Sequence, residues 1–357
     1  MTRFQIAGCA CRLLRRTLCC TLAGLAVLTG WGGFAGAAAA TSAVVLMYQR
    51  FGDRNVPSAA IRIDQFEAHL KVIAERGLNV MALPEILAAL KARRSLPDRT
   101  VALTVDGAFL SFYTEAWPRL RQAELPVTLF VSTDAIDEGR EHYMSWQQIR
   151  EVVRGGATIG NQTASHSQMP TLGRERNDRD IKRASRRFEE ELGARPELFA
   201  YPYGAMSLAM REVVLENGFA AALGHHSGVI HPGSRFHFLP RFPMNEVHGD
   251  AERFRLAADA LPLEVTDITP ADSLLGPAGN PPNVGFTVAG RALAYIDLLT
   301  CYASGQGKVR LERIGPARVE LRFNRAFPPG RPRLNCTMPA RQGRWRWFGT
   351  QFLVPRP

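Results

Sequence analysis

An apolar stretch of the sequence ends in one acidic side chain whose position suits catalysis. In VALTVDGAFLSF (101–112), Asp106 closes the apolar run, and Gly107 and Ala108 lead into a predicted helix. A carboxylate at the end of a buried strand can act as a general base. It cannot hold a divalent metal alone, because such sites use three or more protein ligands. Asp106 therefore needs partners elsewhere in the chain, unless it only caps the helix that follows.

Side chains that could act together with Asp106 occur in four other short segments. They are Gln49 in LMYQRFGD (46–53), Gln162 and His166 in GNQTASHSQM (160–169), Tyr201 and Tyr203 in FAYPYG (199–204), and His225 and His226 in GHHSG (224–228). Each histidine also has a structural alternative, as a hydrogen-bonded loop residue or a surface residue. The question becomes which elements could bring these segments together.

Strand and helix patterns alternate over the first two thirds of the chain. The predicted strands are 43–48, 78–83, 100–105, 127–132, 157–162, 198–203 and 219–224, and the predicted helices are 63–77, 84–94, 112–124, 145–156 and 178–193. This alternation predicts an α/β fold, a distorted (β/α) barrel of about seven parallel strands. Asp106, Gln162 and Tyr203 then lie at carboxyl ends of strands, where barrels carry their sites. A doubly wound open sheet is the alternative, although no glycine-rich dinucleotide loop supports it.

The first forty residues have the features of a secretory signal. Four arginines precede an apolar run (17–34) and an alanine-rich segment (35–40), which is the arrangement of a cleaved leader. We therefore predict a signal peptide at 1–40 and a periplasmic protein. An uncleaved membrane anchor is the alternative, and the protein would then have a membrane as a partner.

Three further segments are predicted after the leader. Residues 41–262 form the barrel domain, 263–283 form a linker or long loop rich in Pro, Gly and Asp, and 284–357 form a small all-β module. The leader carries four Arg and no acid, so the net charge falls from +11 to +7 without it. That charge suits an anionic envelope polymer, and no motif indicates a nucleic-acid partner.

Two cysteines remain after the leader is set aside. Cys301 and Cys336 both lie in the predicted β module. A single pair of cysteines in an exported chain is typical of a disulfide. Two unpaired buried thiols are the alternative.

Four of the quoted segments together resemble a known family. TVDGAFLSF, LPVTLFVS, SWQQIREVVRGGATIGNQTASHSQM and ELFAYPYGAMS, in this order, are similar to the polysaccharide deacetylases, the NodB-like domains of carbohydrate esterase family four. The resemblance covers about residues 43–245. It implies a hydrolase of non-peptide carbon–nitrogen bonds that removes N-acetyl groups from amino-sugar polymers. Zinc or another divalent metal is expected for the family, held by one Asp and two His beside a second Asp that acts as base.

The sequence departs from the family pattern at the metal ligands. The resemblance places Asp106 at the base, but Gly107 stands at the metal-binding Asp and Gln162 at the first ligand His. His166 keeps the second ligand position, and Ala200 replaces an Arg that orients the base in many members. We therefore predict that the metal is weakly bound or absent, since Gly has no ligand atom and an amide is a poor zinc donor. Replacing Gly107→Asp and Gln162→His is predicted to raise zinc affinity.

The resemblance also assigns the remaining candidates. His226 or His225 would protonate the leaving amine, and Tyr201, Tyr203 and Gln49 would contact the substrate. Three functions remain open on this basis. The chain is an exported deacetylase-family protein of reduced activity, a non-catalytic glycan-binding envelope protein that uses the same groove, or a hydrolase whose metal is held by His166, Asp106 and one of the two neighbouring histidines.

Overall fold

The computed structural model describes residues 39–356. The α-helices are α1 (Ile63–Arg76), α2 (Leu83–Lys91), α3 (Trp117–Gln122), α4 (Thr133–Asp137), α5 (Trp146–Arg154), α6 (Arg174–Leu192), α7 (Leu208–Glu216) and α8 (Ala251–Ala258). The strands are β1 (Ala39–Ala40), β2 (Ala43–Tyr48), β3 (Arg50–Phe51), β4 (Ala60–Ile61), β5 (Asn79–Val80), β6 (Leu96–Pro97), β7 (Thr100–Asp106), β8 (Val127–Val131), β9 (Thr158–Asn161), β10 (Leu198–Ala200), β11 (Ala221–Leu223), β12 (Val229–Ile230), β13 (Phe242–Pro243), β14 (Leu261–Pro262), β15 (Val265–Thr269), β16 (Val284–Val288), β17 (Thr300–Ala303), β18 (Gly307–Lys308), β19 (Arg310–Ile314), β20 (Arg318–Arg322), β21 (Arg333–Pro339) and β22 (Trp345–Gln351). The predicted signal peptide at 1–40 lies almost wholly outside these residues.

A curled parallel sheet forms the centre of the first part of the chain. Its order is β11-β10-β9-β8-β7-β2-β12, with β5 added beside β7 and β13 beside β2. All of these neighbours pair in parallel except β12, which runs antiparallel to β2. All seven predicted strands occur in this sheet, and the predicted distorted barrel is confirmed. Its central strands β2, β7 and β8 are almost wholly buried and mostly apolar, as expected for strands covered by helices.

Helix boundaries follow the capping signals in the sequence. Helix α5 begins after Ser145, whose hydroxyl accepts from the Gln148 amide while the Gln148 side chain accepts from the Ser145 amide. This reciprocal pair is the capping box that S-W-Q-Q predicts. Helix α1 ends just before Gly77, its C-cap, which adopts φ 57°. Glycine takes this left-handed conformation without steric strain because it has no Cβ.

The C-terminal module consists of two sheets. One has the order β14-β22-β21-β17-β18 and the other β15-β16-β20-β19. Cys301 and Cys336 lie opposite each other in β17 and β21, are fully buried, and are joined by a disulfide. The segment predicted as a linker, 263–283, contains β15, which pairs with β16. That segment is therefore partly sheet, and the predicted domain boundaries remain a prediction.

No helix within residues 39–356 is both long enough and apolar enough to cross a membrane.

A buried histidine joins helix α1 to the segment before α8. His69 is fully buried, its Nδ1 accepts from the Tyr48 hydroxyl at 3.0 Å, and its Nε2 donates to the Gly249 carbonyl at 2.8 Å. The ring stacks on Phe254 at 4.1 Å between centroids. Burial lowers the pKa of His69 to about 4, so the ring is neutral near pH 7.

The His69 environment predicts a loss of stability in mild acid. The unfolded chain binds a proton at this residue near pH 6.5 and the folded chain only near pH 4, so unfolding becomes easier as the pH falls through that window. We expect His69 to account for about 3 kcal/mol of that loss. Urea titrations between pH 7 and 4 should therefore show a shallower fall for His69→Gln. His142→Gln, an exposed control, should keep the parent slope, and an unchanged slope for His69→Gln would contradict the burial.

Candidate active site

Asp106 is held by two basic side chains at the carboxyl end of β7. Its Oδ1 accepts from Arg241 Nη1 at 2.6 Å, and its Oδ2 accepts from Arg241 Nη2 at 2.9 Å and from His225 Nε2 at 3.0 Å. Asp106 is 2% exposed and Arg241 is completely buried. The carboxylate therefore binds side chains from a distant part of the chain, and the alternative that it caps the following helix is wrong.

The charges around Asp106 fix the protonation states of this cluster. Burial alone would raise the pKa of Asp106, but the charge of Arg241 and the hydrogen bond from His225 outweigh it and hold this pKa well below its usual range. Burial lowers the pKa of His225 to about 4, so its ring is neutral near pH 7. Because the ionised carboxylate can only accept, His225 carries its proton on Nε2 and leaves Nδ1 as an acceptor.

Arg241 is the site residue that sequence reasoning missed. Besides Asp106, its guanidinium donates to the Gly224 carbonyl at 2.9 Å and to Thr104 Oγ1 at 3.2 Å. It thus supplies, from a different segment, the arginine that the resemblance expects at Ala200, which is buried here. One signal was present: a single charged residue inside the apolar stretch FLPRFPM (238–244), since a buried charge in such a run requires a partner.

An aromatic ring fills the space beside Gly107, where the resemblance expects a metal ligand. Gly107 adopts φ 97°, and a Cβ built on it would lie 2.5 Å from Phe109 Cε2. The Phe109 ring packs against Tyr143 with centroids 4.6 Å apart, and the guanidinium carbon of Arg50 lies 4.0 Å from the Phe109 ring centroid. A carboxylate at position 107 would therefore need both a strained backbone and a displaced ring.

Gln162, where the resemblance expects another ligand, also has no side-chain atom that suits zinc. Gln162 is fully buried, and neither its Oε1 nor its Nε2 has a hydrogen-bond partner. Within residues 39–356, no three His, Cys, Asp or Glu side chains converge so that they could hold a metal ion. The donor set does not fit the family's metal. Arg241 and His225 engage both oxygens of Asp106, and the alternative in which Asp106 ligates a displaced metal stays a prediction.

A cleft of about 260 Å³ opens beside this cluster. Gln49, Gly107, Tyr143, His166 and Tyr203 all line it. The rings of His166 and Tyr203 lie 4.7 Å apart, and Tyr203 is 38% exposed. Burial lowers the pKa of His166, and the charge of Asp106 opposes that shift. His166 and Gly107, the residue that follows β7, therefore line one cleft, while a hollow shared by Asp106 and His166, the metal role of His166 and the substrate role of Gln49 stay predictions.

The C-terminal module fixes the backbone at the mouth of the cleft. Tyr203 adopts φ 60°, and its carbonyl accepts from Gln351 Nε2 at 3.1 Å and from Arg331 Nη1 at 3.3 Å. The guanidinium carbon of Arg331 also lies 4.9 Å from the centroid of the Tyr203 ring. The β module thus helps to hold an exposed aromatic ring in place, which lowers the entropic cost of using it as a binding surface.

Two of the other candidate residues are buried. Tyr201 is fully buried and donates its hydroxyl to the His237 carbonyl at 3.0 Å, and its substrate contact stays a prediction. His226 is 5% exposed and packs on Phe238 at 4.3 Å. Of the two neighbouring histidines, only His225 contacts Asp106, and neither is a surface residue.

Comparisons with known proteins show which proteins this chain is similar to. Residues 93–222 match the family model for polysaccharide deacetylases. YxkH from Bacillus subtilis is 22% identical over 160 residues, which is 45% of this chain and 56% of that protein. The poly-beta-1,6-N-acetyl-D-glucosamine N-deacetylase of Escherichia coli K12 is 25% identical over 214 residues, which is 46% of this chain and 32% of that protein.

A solved structure shows the same likeness in three dimensions. IcaB from Ammonifex degensii superimposes with a TM-score of 0.55 and 27% identity, covering 61% of this chain and 97% of that one. This chain spans about half of the length of YxkH and about a third of the Escherichia coli relative.

Proposed function

We propose that this chain binds an N-acetylated amino-sugar polymer without metal-dependent hydrolysis. It carries a polysaccharide deacetylase domain of the NodB-like family, which is close to the poly-β-1,6-N-acetylglucosamine deacetylases. The binding site is the cleft beside Asp106. We propose that the protein is exported, as its leader predicts, and acts on envelope polysaccharide in the periplasm. This is the binding alternative of the sequence analysis.

One observation carries the proposal: the Phe109 ring occupies the space that a ligand side chain at Gly107 would need. Without a three-ligand metal, the reaction lacks both a Lewis acid for the acetyl oxygen and a source of hydroxide near neutral pH. General-base assistance alone supplies only about 10²–10⁴ of rate enhancement. Asp106 is a weak base even for that, because the charge of Arg241 and the hydrogen bond from His225 hold its pKa well below its usual range.

The cleft keeps groups that suit a neutral sugar. Tyr203 and Tyr143 offer aromatic rings, and Gln49 and His166 offer hydrogen-bonding atoms. Aromatic faces bury the apolar side of a sugar ring, while a few polar atoms fix its orientation. These lining groups support the proposal that the cleft binds a sugar.

A second function, residual hydrolysis, is favoured by one contact. His225 is a neutral imidazole oriented by the ionised Asp106, which is the arrangement of a general base and its orienting group. Acetate release from β-1,6-linked N-acetylglucosamine oligomers, with and without added zinc, separates the two functions. We expect no release above the uncatalysed rate, and measurable turnover would favour the hydrolase.

Removing the exposed ring of the cleft should weaken glycan binding. We expect Tyr203→Ala to bind N-acetylglucosamine oligomers about tenfold more weakly, since one aromatic stacking contact is worth roughly 1–1.5 kcal/mol. Isothermal titration calorimetry on the full chain measures the change. Tyr302→Ala is the matched control, because Tyr302 is also exposed but lies in β17 of the other module. Equal affinity of the parent and Tyr203→Ala would show that the cleft is not the binding site.

A further inference from the structure

A second concave surface lies in the C-terminal module and is lined by arginines. It has a volume of about 770 Å³ and is formed by the turn-rich segment Gly290–Leu298 and the connection between β21 and β22. Its four cationic side chains are Arg291, Arg341, Arg344 and Arg346. We call this surface the arginine groove. No acidic side chain lines it within residues 39–356.

The arginine groove is separate from the cleft beside Asp106. Arg344 pairs with Asp98 at 2.8 Å, and Asp98 precedes β7, whose far end carries Asp106. A seven-residue strand spans about 20 Å at roughly 3.3 Å per residue. The groove and the cleft therefore lie toward opposite ends of the same strand.

The positive charge of the groove is compensated only in part. Arg291 and Arg341 are exposed and have no carboxylate within 4.0 Å in the described part of the chain. Burial lowers the pKa of Arg346, the nearby Glu264 raises it, and the charges of Arg291 and Arg344 lower it again. Asp98 therefore pairs with Arg344 and Glu264 lies near Arg346, while Arg291 and Arg341 keep an excess of positive charge that an anionic ligand would stabilise.

Apolar atoms complete the groove. The side chains of Tyr295 and Leu298 line it and are 47% and 51% exposed. An aromatic ring beside guanidinium groups can contact a sugar face while the guanidinium forks bind carboxylates in a bidentate manner.

We propose that the arginine groove binds a carboxylate-bearing polysaccharide, a polymer of uronic acid residues. A neutral N-acetylated polymer does not need guanidinium partners, and a deacetylated polymer is cationic and would be repelled. A lipid surface would favour side chains on a convex face, whereas these arginines line a concave one. The groove gives the protein a second glycan specificity, independent of the cleft.

The test is binding of polygalacturonate by the full chain, measured by calorimetry at about 0.05 M and 0.5 M NaCl, where screening differs strongly. We expect Arg291→Gln combined with Arg341→Gln to weaken binding at least about tenfold, since each contact is charge-assisted. The higher salt should weaken binding by the parent. Arg179→Gln combined with Arg186→Gln is the matched control, because both are exposed on α6. The four substitutions are on the surface, and equal melting temperatures would verify folding.

Each outcome supports or overturns the proposal. Weaker polygalacturonate binding by the variant with Arg291→Gln and Arg341→Gln, but not by the control variant, supports the proposal. No binding by the parent, equal loss in both double variants, or stronger binding to polyphosphate or to vesicles of equal parts phosphatidylcholine and phosphatidylserine overturns it. Neutral dextran should not bind. Tyr203→Ala should leave polygalacturonate binding unchanged, so failure here is distinct from failure of the cleft.

Discussion

Arg241→Met should destabilise the protein by about 3–5 kcal/mol, because it leaves the buried carboxylate of Asp106 without its counter-charge. Arg241 makes two of the three hydrogen bonds to that carboxylate and is itself completely buried. Solvent cannot replace the lost guanidinium at a carboxylate that is 2% exposed. Urea unfolding at pH 7 measures the change in the free energy of unfolding.

The pH dependence of this effect has a defined sign. In the parent, the pKa of Asp106 is lower than in the unfolded chain. The contribution of Asp106 to the free energy of unfolding is therefore complete above about pH 4 and is lost only in stronger acid. In Arg241→Met, burial acts without its main opposing charge and raises the pKa of Asp106 above that of the unfolded chain. Protonation of Asp106 then removes the unpaired buried charge from the folded state. The difference in free energy of unfolding between the variant and the parent should therefore shrink as the pH falls from 7 to 5.

A second substitution provides the control for Arg241→Met. Adding Asp106→Asn removes the orphaned charge, and we expect the double variant to recover more than half of the lost free energy. The charge, rather than the lost volume of the arginine, would then be the cause. A loss below about 1 kcal/mol in Arg241→Met would indicate an exposed ion pair.

Much of the scaffold follows from the sequence because its signals are local. The runs 43–48, 100–105 and 127–132 are apolar on both faces, which is typical of strands covered by helices, and they form β2, β7 and β8. The candidates at the ends of these strands could be placed near one another for the same reason. The sequence accordingly predicts that Asp106 and His166 lie in one region.

The partners within the site could not be predicted, because they depend on long-range contacts and on turn geometry. Arg241 lies 135 positions from Asp106 in sequence, and no local pattern encodes that pairing. Tyr201 and Tyr203 are the same residue type in one short segment, FAYPYG, so the sequence does not distinguish them. The turn puts Tyr203 at φ 60° and exposes its side chain, while Tyr201 stays buried. The Phe109 ring over Gly107 is likewise visible only in three dimensions.

The Phe109 ring changes what is expected from restoring the metal ligands. On sequence grounds, Gly107→Asp with Gln162→His should raise zinc affinity. In the structure, the new carboxylate meets the Phe109 ring and must be accommodated at φ 97°. We therefore expect this two-residue variant to gain no more than a few-fold in zinc affinity, and Phe109→Ala to be needed as a third replacement.

The three-residue variant should bind zinc about 100-fold or more tightly than the parent, because each added ligand contributes at least about tenfold. Gln162→His removes two unpartnered buried amide atoms and breaks no hydrogen bond, so this position accepts a ligand at little cost. Aspartate tolerates positive φ better than most side chains, which limits the strain at position 107. Zinc titration against a competing chelator measures the affinities.

Phe109→Ala alone is the matched control, since it opens the same space without adding a ligand and should leave zinc affinity at the parent level. If the two-residue variant binds zinc as tightly as the three-residue variant, the ring is not the obstacle. If neither gains affinity, then positions 107 and 162 do not face a common ion, and the correspondence between this site and a metal-dependent deacetylase fails. Acetate release by the three-residue variant would show further that the barrel still presents an acetyl group to the restored site, even with Arg241 holding Asp106.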